Sequence, residues 1–202
     1  MRRGGSPKGH TDPVTESQVS YGRGVPDEGR LRLLGDIRGK RVIELGIRGN
    51  ALHLAAQGAK SIALDPDPDR IADLRAAAAR SELTVECHHG VLADLGFAPS
   101  GTIEAVVASH SLDDEPDLAR VLRQVHRVLR GSGVFVIAVA HPFAAVAAGS
   151  VARYGDGHRT IGDLLGALER TNFRIEAFHE LGLDEDHRVP TTLVVKTRKE
   201  GS

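Results

Sequence analysis

The sequence is poor in the side chains that usually thicken a core: it has no tryptophan, two tyrosines and five phenylalanines in 202 residues. A well-packed interior must therefore come from Ala, Val, Leu and Ile, and one domain is what a chain of this length forms. Cys87 is the only cysteine, which excludes an intramolecular disulfide and suits a reducing compartment. There is no basic block beyond Arg2-Arg3 and the formal net charge is -1, so nothing points to a nucleic-acid backbone as partner. No apolar run approaches the roughly 20 residues of a membrane-spanning helix. The first twenty residues begin with positive charge but carry no apolar stretch of the signal-peptide kind. They read as a polar, disordered tail (residues 1–20), with residues 21–202 as a single domain and the cytoplasm as its compartment.

What is present is alternation. Apolar strand-like runs occur at 41–45, 61–65, 83–89, 103–110 and 134–140. Helical patterns lie between them, and "PDRIADLRAAAARS" turns Ile71 and Leu74 inward. In "EPDLARVLRQVHRVLR" the residues Leu118, Val121, Leu122, Val125, Val128 and Leu129 recur at helical spacing, and Gly131 and Gly133 are expected to end the helix. Asp27 is a cap candidate for a short helix ending near Gly35, and Leu31, Leu33 and Leu34 form its apolar stripe. A small-residue loop is expected from strand five to Gly157, then a helix in "TIGDLLGALERTN". The runs at 173–181 and 191–198 have no helix between them and read as an antiparallel pair at a sheet edge. The pattern is that of a doubly wound, Rossmann-like α/β domain with a mainly parallel sheet. Such sheets bind ligands at the carboxyl ends of their strands. That directs attention to Glu44–Asn50, Asp65, the segment after His89, His110 and His141.

The segments "RVIELG", the acid at Asp65, "HHGVLADLGF", "ARVLRQVHRVLRGSGVFVIAVAHPF" and "TTLVVKTRKEG" together resemble the class I S-adenosylmethionine-dependent methyltransferases, the small actinobacterial type most of all. The likeness runs from about residue 21 to 200 and rests on the order of many segments. It implies a seven-stranded sheet whose last strand is inserted antiparallel, with S-adenosylmethionine as cofactor and a small-molecule methyl acceptor. It also implies a cofactor site built from Tyr21, Glu44, Gly46, Gly49, Asp65, Pro66, Val91 and Leu92. Asp65 would hold the ribose hydroxyls, the Gly90-Val91-Leu92 turn would border the adenine, and the segment at Tyr21 can fold over the cofactor.

Two departures from that pattern stand out. After the first strand the family carries acid-x-Gly-x-Gly-x-Gly. Laid directly on Glu44, this chain keeps Gly46 and has Arg48 and Asn50 in place of the other glycines. Anchored on "NALHLAAQGA" instead, the loop is about two residues short and Gly49 is a surviving glycine. Valine at 91 replaces the aspartate that accepts from the adenine amino group. His110 and His141 follow strands four and five, so both are candidates to take a proton from the acceptor as methyl transfer proceeds. Arg48 is a candidate partner for the cofactor carboxylate or an acidic substrate, and otherwise a solvated arginine. No metal site is expected: Cys87, His88 and His89 alternate faces of a strand, and Asp113, Asp114, Glu115 and Asp117 read as a helix-start charge cluster. The competing reading is a methyltransferase-fold binding module whose cofactor site has decayed. A nicotinamide-dependent oxidoreductase fits less well, since its glycine turn is also missing.

Overall fold

The computed structural model describes residues 18–149, 153–183 and 189–201. Its seven strands are β1 (Arg41–Leu45), β2 (Lys60–Asp65), β3 (Val85–His89), β4 (Ile103–Ser109), β5 (Leu129–Ala140), β6 (Phe173–Leu183) and β7 (Pro190–Lys199). The helices are α1 (Glu28–Leu31), α2 (Asn50–Ala56), α3 (Pro68–Arg80), α4 (Leu118–Val128), α5 (Pro142–Ala147) and α6 (Ile161–Arg170). The strands form one sheet in the order β3-β2-β1-β4-β5-β7-β6. The first five are parallel, while β7 runs antiparallel between β5 and β6. Strand order reverses between β1 and β4, which opens a crevice above their carboxyl ends.

Period-two alternation along the strands fills both faces of the sheet. On one face Ile43, Leu45, Val106, Phe135 and Ile137 pack under α4 and α6; on the other Val42, Val107, Val136 and Ala138 meet Leu54, Leu33, Leu34 and Tyr21. Each such aliphatic side chain contributes about 1.5–3 kcal/mol on full burial, which offsets the scarcity of aromatic rings. All six apolar positions read along the fourth helix are buried, as are Ile71 and Leu74.

Capping sets the helix starts. Asp67 accepts from the amides of Asp69 and Arg70 ahead of Pro68, Asp117 accepts from Arg120, and Thr160 with Asp163 forms a capping box. Three expectations are corrected. The first helix stops at Leu31 because Arg32 turns left-handed (φ 53°) and the chain wraps the buried Glu28 carboxylate. That carboxylate accepts from the amides of Leu33, Leu34 and Gly35 at 2.7–3.2 Å. The fourth helix ends at Val128, and the Gly131-Ser132-Gly133 turn lies inside β5. The segment expected to be a small-residue loop begins with α5, started by Pro142 at its first turn. The boundary of the N-terminal tail also moves: Val19 is fully buried and Ser20 is hydrogen-bonded to the domain, while residues 1–17 lie outside the described residues.

Candidate active site

The β1–α2 turn is where the sequence departs most from the methyltransferase pattern, and the structure gives each departure a partner. Glu44 is fully buried, and its carboxylate accepts from the amides of Arg48 (2.7 Å), Asn50 (3.0 Å) and Ala51 (2.7 Å). It thereby caps α2, whose N-cap Gly49 (φ 96°) has no side chain to do so. Burial pushes its carboxyl above the ordinary range, against the lowering effect of those amides. Asn50 makes a two-way pairing with the Ser20 backbone (2.8 and 2.9 Å) and donates to Ser109 Oγ at 3.2 Å. Arg48 reaches across the crevice, its Nη2 donating to the His110 carbonyl at 2.9 Å. Gly46 is glycine for a local reason: a Cβ there would lie 2.2 Å from Ser111 Cβ, and its φ is 78°.

Asp65 is 1% exposed at the end of β2. One carboxylate oxygen accepts from the Ile47 amide (2.6 Å) and the other from Asp67 (2.8 Å), with Arg70 at 3.7 Å. The cleft beside it, about 620 Å³, is lined by Pro66, Val91, Leu92, Arg48, His110 and Ser111 among others. Val91 is 59% exposed above the buried Leu92, giving an apolar wall. His89 Nε2 lies 3.0 Å from the Pro66 carbonyl at the same edge.

Tyr21 is not at this cleft. It is fully buried in the core, and its hydroxyl donates to Glu28 at 2.6 Å. Loss of solvent and the adjacent carboxylate hold that phenol far above its ordinary range. The neighbouring residue does reach the site: a Cβ on Gly22 would lie 2.8 Å from His110 Nε2, so only glycine passes there.

The two histidines separate. His110 continues the β4–β5 ladder through its amide to the Ala138 carbonyl (2.7 Å) with a left-handed φ of 53°. Strained backbone of this kind concentrates at working sites. Its Nδ1 is 3.1 Å from Asp113 Oδ2, and Asp113 Oδ1 is fixed by the Ala140 amide at 2.9 Å. With Nδ1–H donating to Asp113, Nε2 is left as an acceptor. His141, by contrast, is 4% exposed and engaged at both ring nitrogens. Nδ1 accepts from Phe143 N at the start of α5, and Nε2 meets Glu180 at 2.8 Å. Its geometry is that of a helix cap, and the notion of it as a second base finds no free nitrogen. Asp113 was read as part of a helix-start cluster; the i,i+3 spacing from His110 was the only signal for the pair. Among the described residues, no group of three or more His, Cys, Asp or Glu could hold a metal ion. His88 lies flat on Phe97 at 3.7 Å and Cys87 stands apart from it.

Residues 44–137 match the methyltransferase domain family. The seven-stranded topology agrees with this match. Residues 44–137 are thus similar to a methyltransferase domain, and the fold is that of the class I S-adenosylmethionine-dependent methyltransferases. No curated protein sequence matches it significantly. A solved S-adenosylmethionine-dependent methyltransferase from Mesorhizobium loti shares the fold at 23% identity with a TM-score of 0.66, covering 84% of this chain and 95% of that one. Geranyl diphosphate methyltransferase in complex with its cofactor has a TM-score of 0.69 at 16% identity, covering 86% and 84%. The [4+2]-cyclase SpnF has a TM-score of 0.68 at 16% identity, covering 82% and 76%. The methyltransferase match and the fold support S-adenosylmethionine as the cofactor. Pro66, Val91 and Leu92 give the cleft an apolar wall of the kind an adenosine needs. Arg48 holds one exposed hydrogen bond, which it can exchange for a carboxylate at small cost.

Proposed function

We propose that the protein transfers a methyl group from S-adenosylmethionine to a small-molecule acceptor, with His110 taking the acceptor's proton. The observation that carries this reading is the His110–Asp113 pair, because Asp113 and Asp114 line both the cofactor cleft and a second cavity. The cofactor, when bound, supplies an electrophilic methyl group on its sulfonium centre. Asp65, at the end of β2, would share a lone pair with the ribose hydroxyls of the bound cofactor, Pro66, Val91 and Leu92 would border its adenine, and Arg48 would meet its carboxylate. Asp113 fixes the tautomer and orientation of His110, which lines the first cleft, so that Nε2 can accept a proton from a hydroxyl or amine brought to that cleft from the second cavity beside Asp113. Glu44 and Gly46 act on the cofactor indirectly, by fixing the loop. The [4+2]-cyclase neighbour shows that this fold also carries chemistry described in other terms, and the decayed-site reading stays testable beside the enzymatic one.

The test is calorimetric titration with S-adenosylmethionine and with S-adenosylhomocysteine, followed by transfer of labelled methyl to a panel of phenols and aryl amines. Micromolar binding and label transfer support the proposal. Absence of heat and of thermal shift at millimolar ligand removes it and leaves the non-catalytic module.

A further inference from the structure

The second cavity lies over the carboxyl end of β5, between α5 and α6, and encloses about 420 Å³. That is within the size range of small-ligand sites. Its walls are largely aliphatic: Val139, Pro142, Ala144, Ala145 and Leu164 face it with the engaged His141, and among the described residues no Phe or Tyr lines it. The charged residues at its edge are already engaged or lie in water. Asp113 is shared between the Ala140 amide and His110. The Arg159 guanidinium donates to the carbonyls of Leu112 (3.1 Å) and Glu115 (2.8 Å). Asp114 and His158 are solvent-exposed. Among the described residues no buried, uncommitted charge faces the interior, so an ionic ligand would lose hydration there without a compensating partner.

From this we infer that the acceptor site takes an uncharged, apolar molecule of about ten to fifteen non-hydrogen atoms with one hydroxyl or neutral amine, directed at the wall that holds Asp113. The inference names the substrate class of the proposed methyltransferase and rests on that reading for its catalytic sense, but the cavity's preference stands or falls by itself. Helix α5 decides it. Pro142 and the alanines at 144 and 145 leave room where larger side chains would fill the space, and a bulky residue at 145 should close it.

The experiment is a fluorescence titration of the full chain with 2-naphthol, against the anionic 2-naphthoate and the cationic 2-naphthylmethylammonium, each with and without S-adenosylhomocysteine. The expected result is saturable 2-naphthol binding at least tenfold tighter than either ion. It should weaken at least tenfold in Ala145→Trp and less in the smaller Ala145→Val. Circular dichroism and thermal melting verify that both variants fold, and an unfolded Ala145→Trp leaves the decision to Ala145→Val and the ligand series. Equal or tighter binding of either ion, no saturable 2-naphthol binding, or wild-type binding by a folded Ala145→Trp would overturn the inference. Binding of 2-naphthol without binding of S-adenosylhomocysteine would instead remove the methyltransferase reading and leave the cavity assignment intact.

Discussion

On one rim of the cleft proposed for the cofactor, the amides of Gly46, Ile47, Arg48, Asn50 and Ala51 are each held within 3.0 Å by Leu64, Asp65 or Glu44. On the opposite rim, His110 stands on a left-handed backbone with one side-chain partner and space on both sides of that partner. The first rim is committed to its own architecture; the second keeps groups available. A loop that has lost glycines can still shape a cofactor site if the new side chains bond away from the cleft, as Asn50 does to Ser20 and Ser109. The reacting groups then belong on the side where a lone pair remains. The sharpest way to break this comparison is to damage each rim separately and ask whether stability or chemistry fails.

The largest expected effect is on the open rim. His110→Ala should lower single-turnover methyl transfer by about 10²- to 10⁴-fold, the usual worth of a positioned general base. S-adenosylhomocysteine affinity should stay within roughly threefold, about 0.65 kcal/mol. Asp113→Asn should lie between that variant and wild type, with a displaced pH–rate profile, since it disturbs the orientation of the imidazole without removing it. Transfer by His110→Ala within a few-fold of wild type would mean that proximity and orientation carry the reaction unaided.

The committed rim should fail through stability. Glu44→Ala leaves three amides, two of them in buried hydrogen bonds, without their acceptor and should cost about 3 kcal/mol or more in urea unfolding. Glu44→Gln keeps an acceptor oxygen and should cost less. The pH dependence has a definite sign. The folded carboxyl is raised by burial, so the stability it contributes is fully present below the unfolded value of about 4.3 and declines as pH rises through the folded one. The stability difference between wild type and Glu44→Gln should therefore shift toward Gln from about pH 4 to about pH 8. A difference that moved the other way would mean that the three amides outweigh desolvation.

Much of the fold was legible because strands and helices announce themselves by period: the core positions of α4, the acid ending β2 and the antiparallel edge pair all follow from spacing. What could not be read was which polar side chain chooses which backbone. Tyr21 looked like a flap over the cofactor, but nothing in "YGRGVPDEGR" says that its hydroxyl goes to Glu28, seven residues on, while the same carboxylate gathers the amides of Leu33, Leu34 and Gly35. His110 and His141 are equivalent in sequence, each following a strand. They diverge because Pro142 starts a helix that takes a ring nitrogen of one, while Asp113 is three residues from the other. Long-range pairing, such as Asn50 with Ser20 across thirty positions, has no local signature.

A smaller change should sharpen the contrast by restoring what the cleft wall lacks. Val91 is 59% exposed, so aspartate there has room and costs little in stability. If the adenine lies against Val91 and Leu92, Val91→Asp should tighten S-adenosylhomocysteine binding by about 1.5–3 kcal/mol, ten- to a hundredfold. Calorimetry on both proteins measures it. Unchanged affinity would place the adenine elsewhere in the cleft.

The smallest effect is expected far from both rims, at the sheet edge, where an ion-pair cluster gives a reference for what charge contributes when function is absent. Arg198 grips Glu176 with Nε at 2.6 Å and Nη2 at 2.9 Å, and Lys196 lies 3.6 Å away. The hydrogen bond from Arg198 is the main cause holding the Glu176 carboxyl below its ordinary range. Its folded value is depressed, so the stability it contributes is present above about pH 4.3 and is lost as pH falls through the folded value. That sign is opposite to Glu44. Because both side chains are partly exposed, Glu176→Gln should cost only about 1 kcal/mol or less at neutral pH, diminishing with added salt. Urea titrations across acid pH should show the wild-type advantage vanishing in the acid range while S-adenosylhomocysteine affinity stays level. A salt-independent cost well above that would mean this edge contributes more to the fold than a solvated charge cluster does.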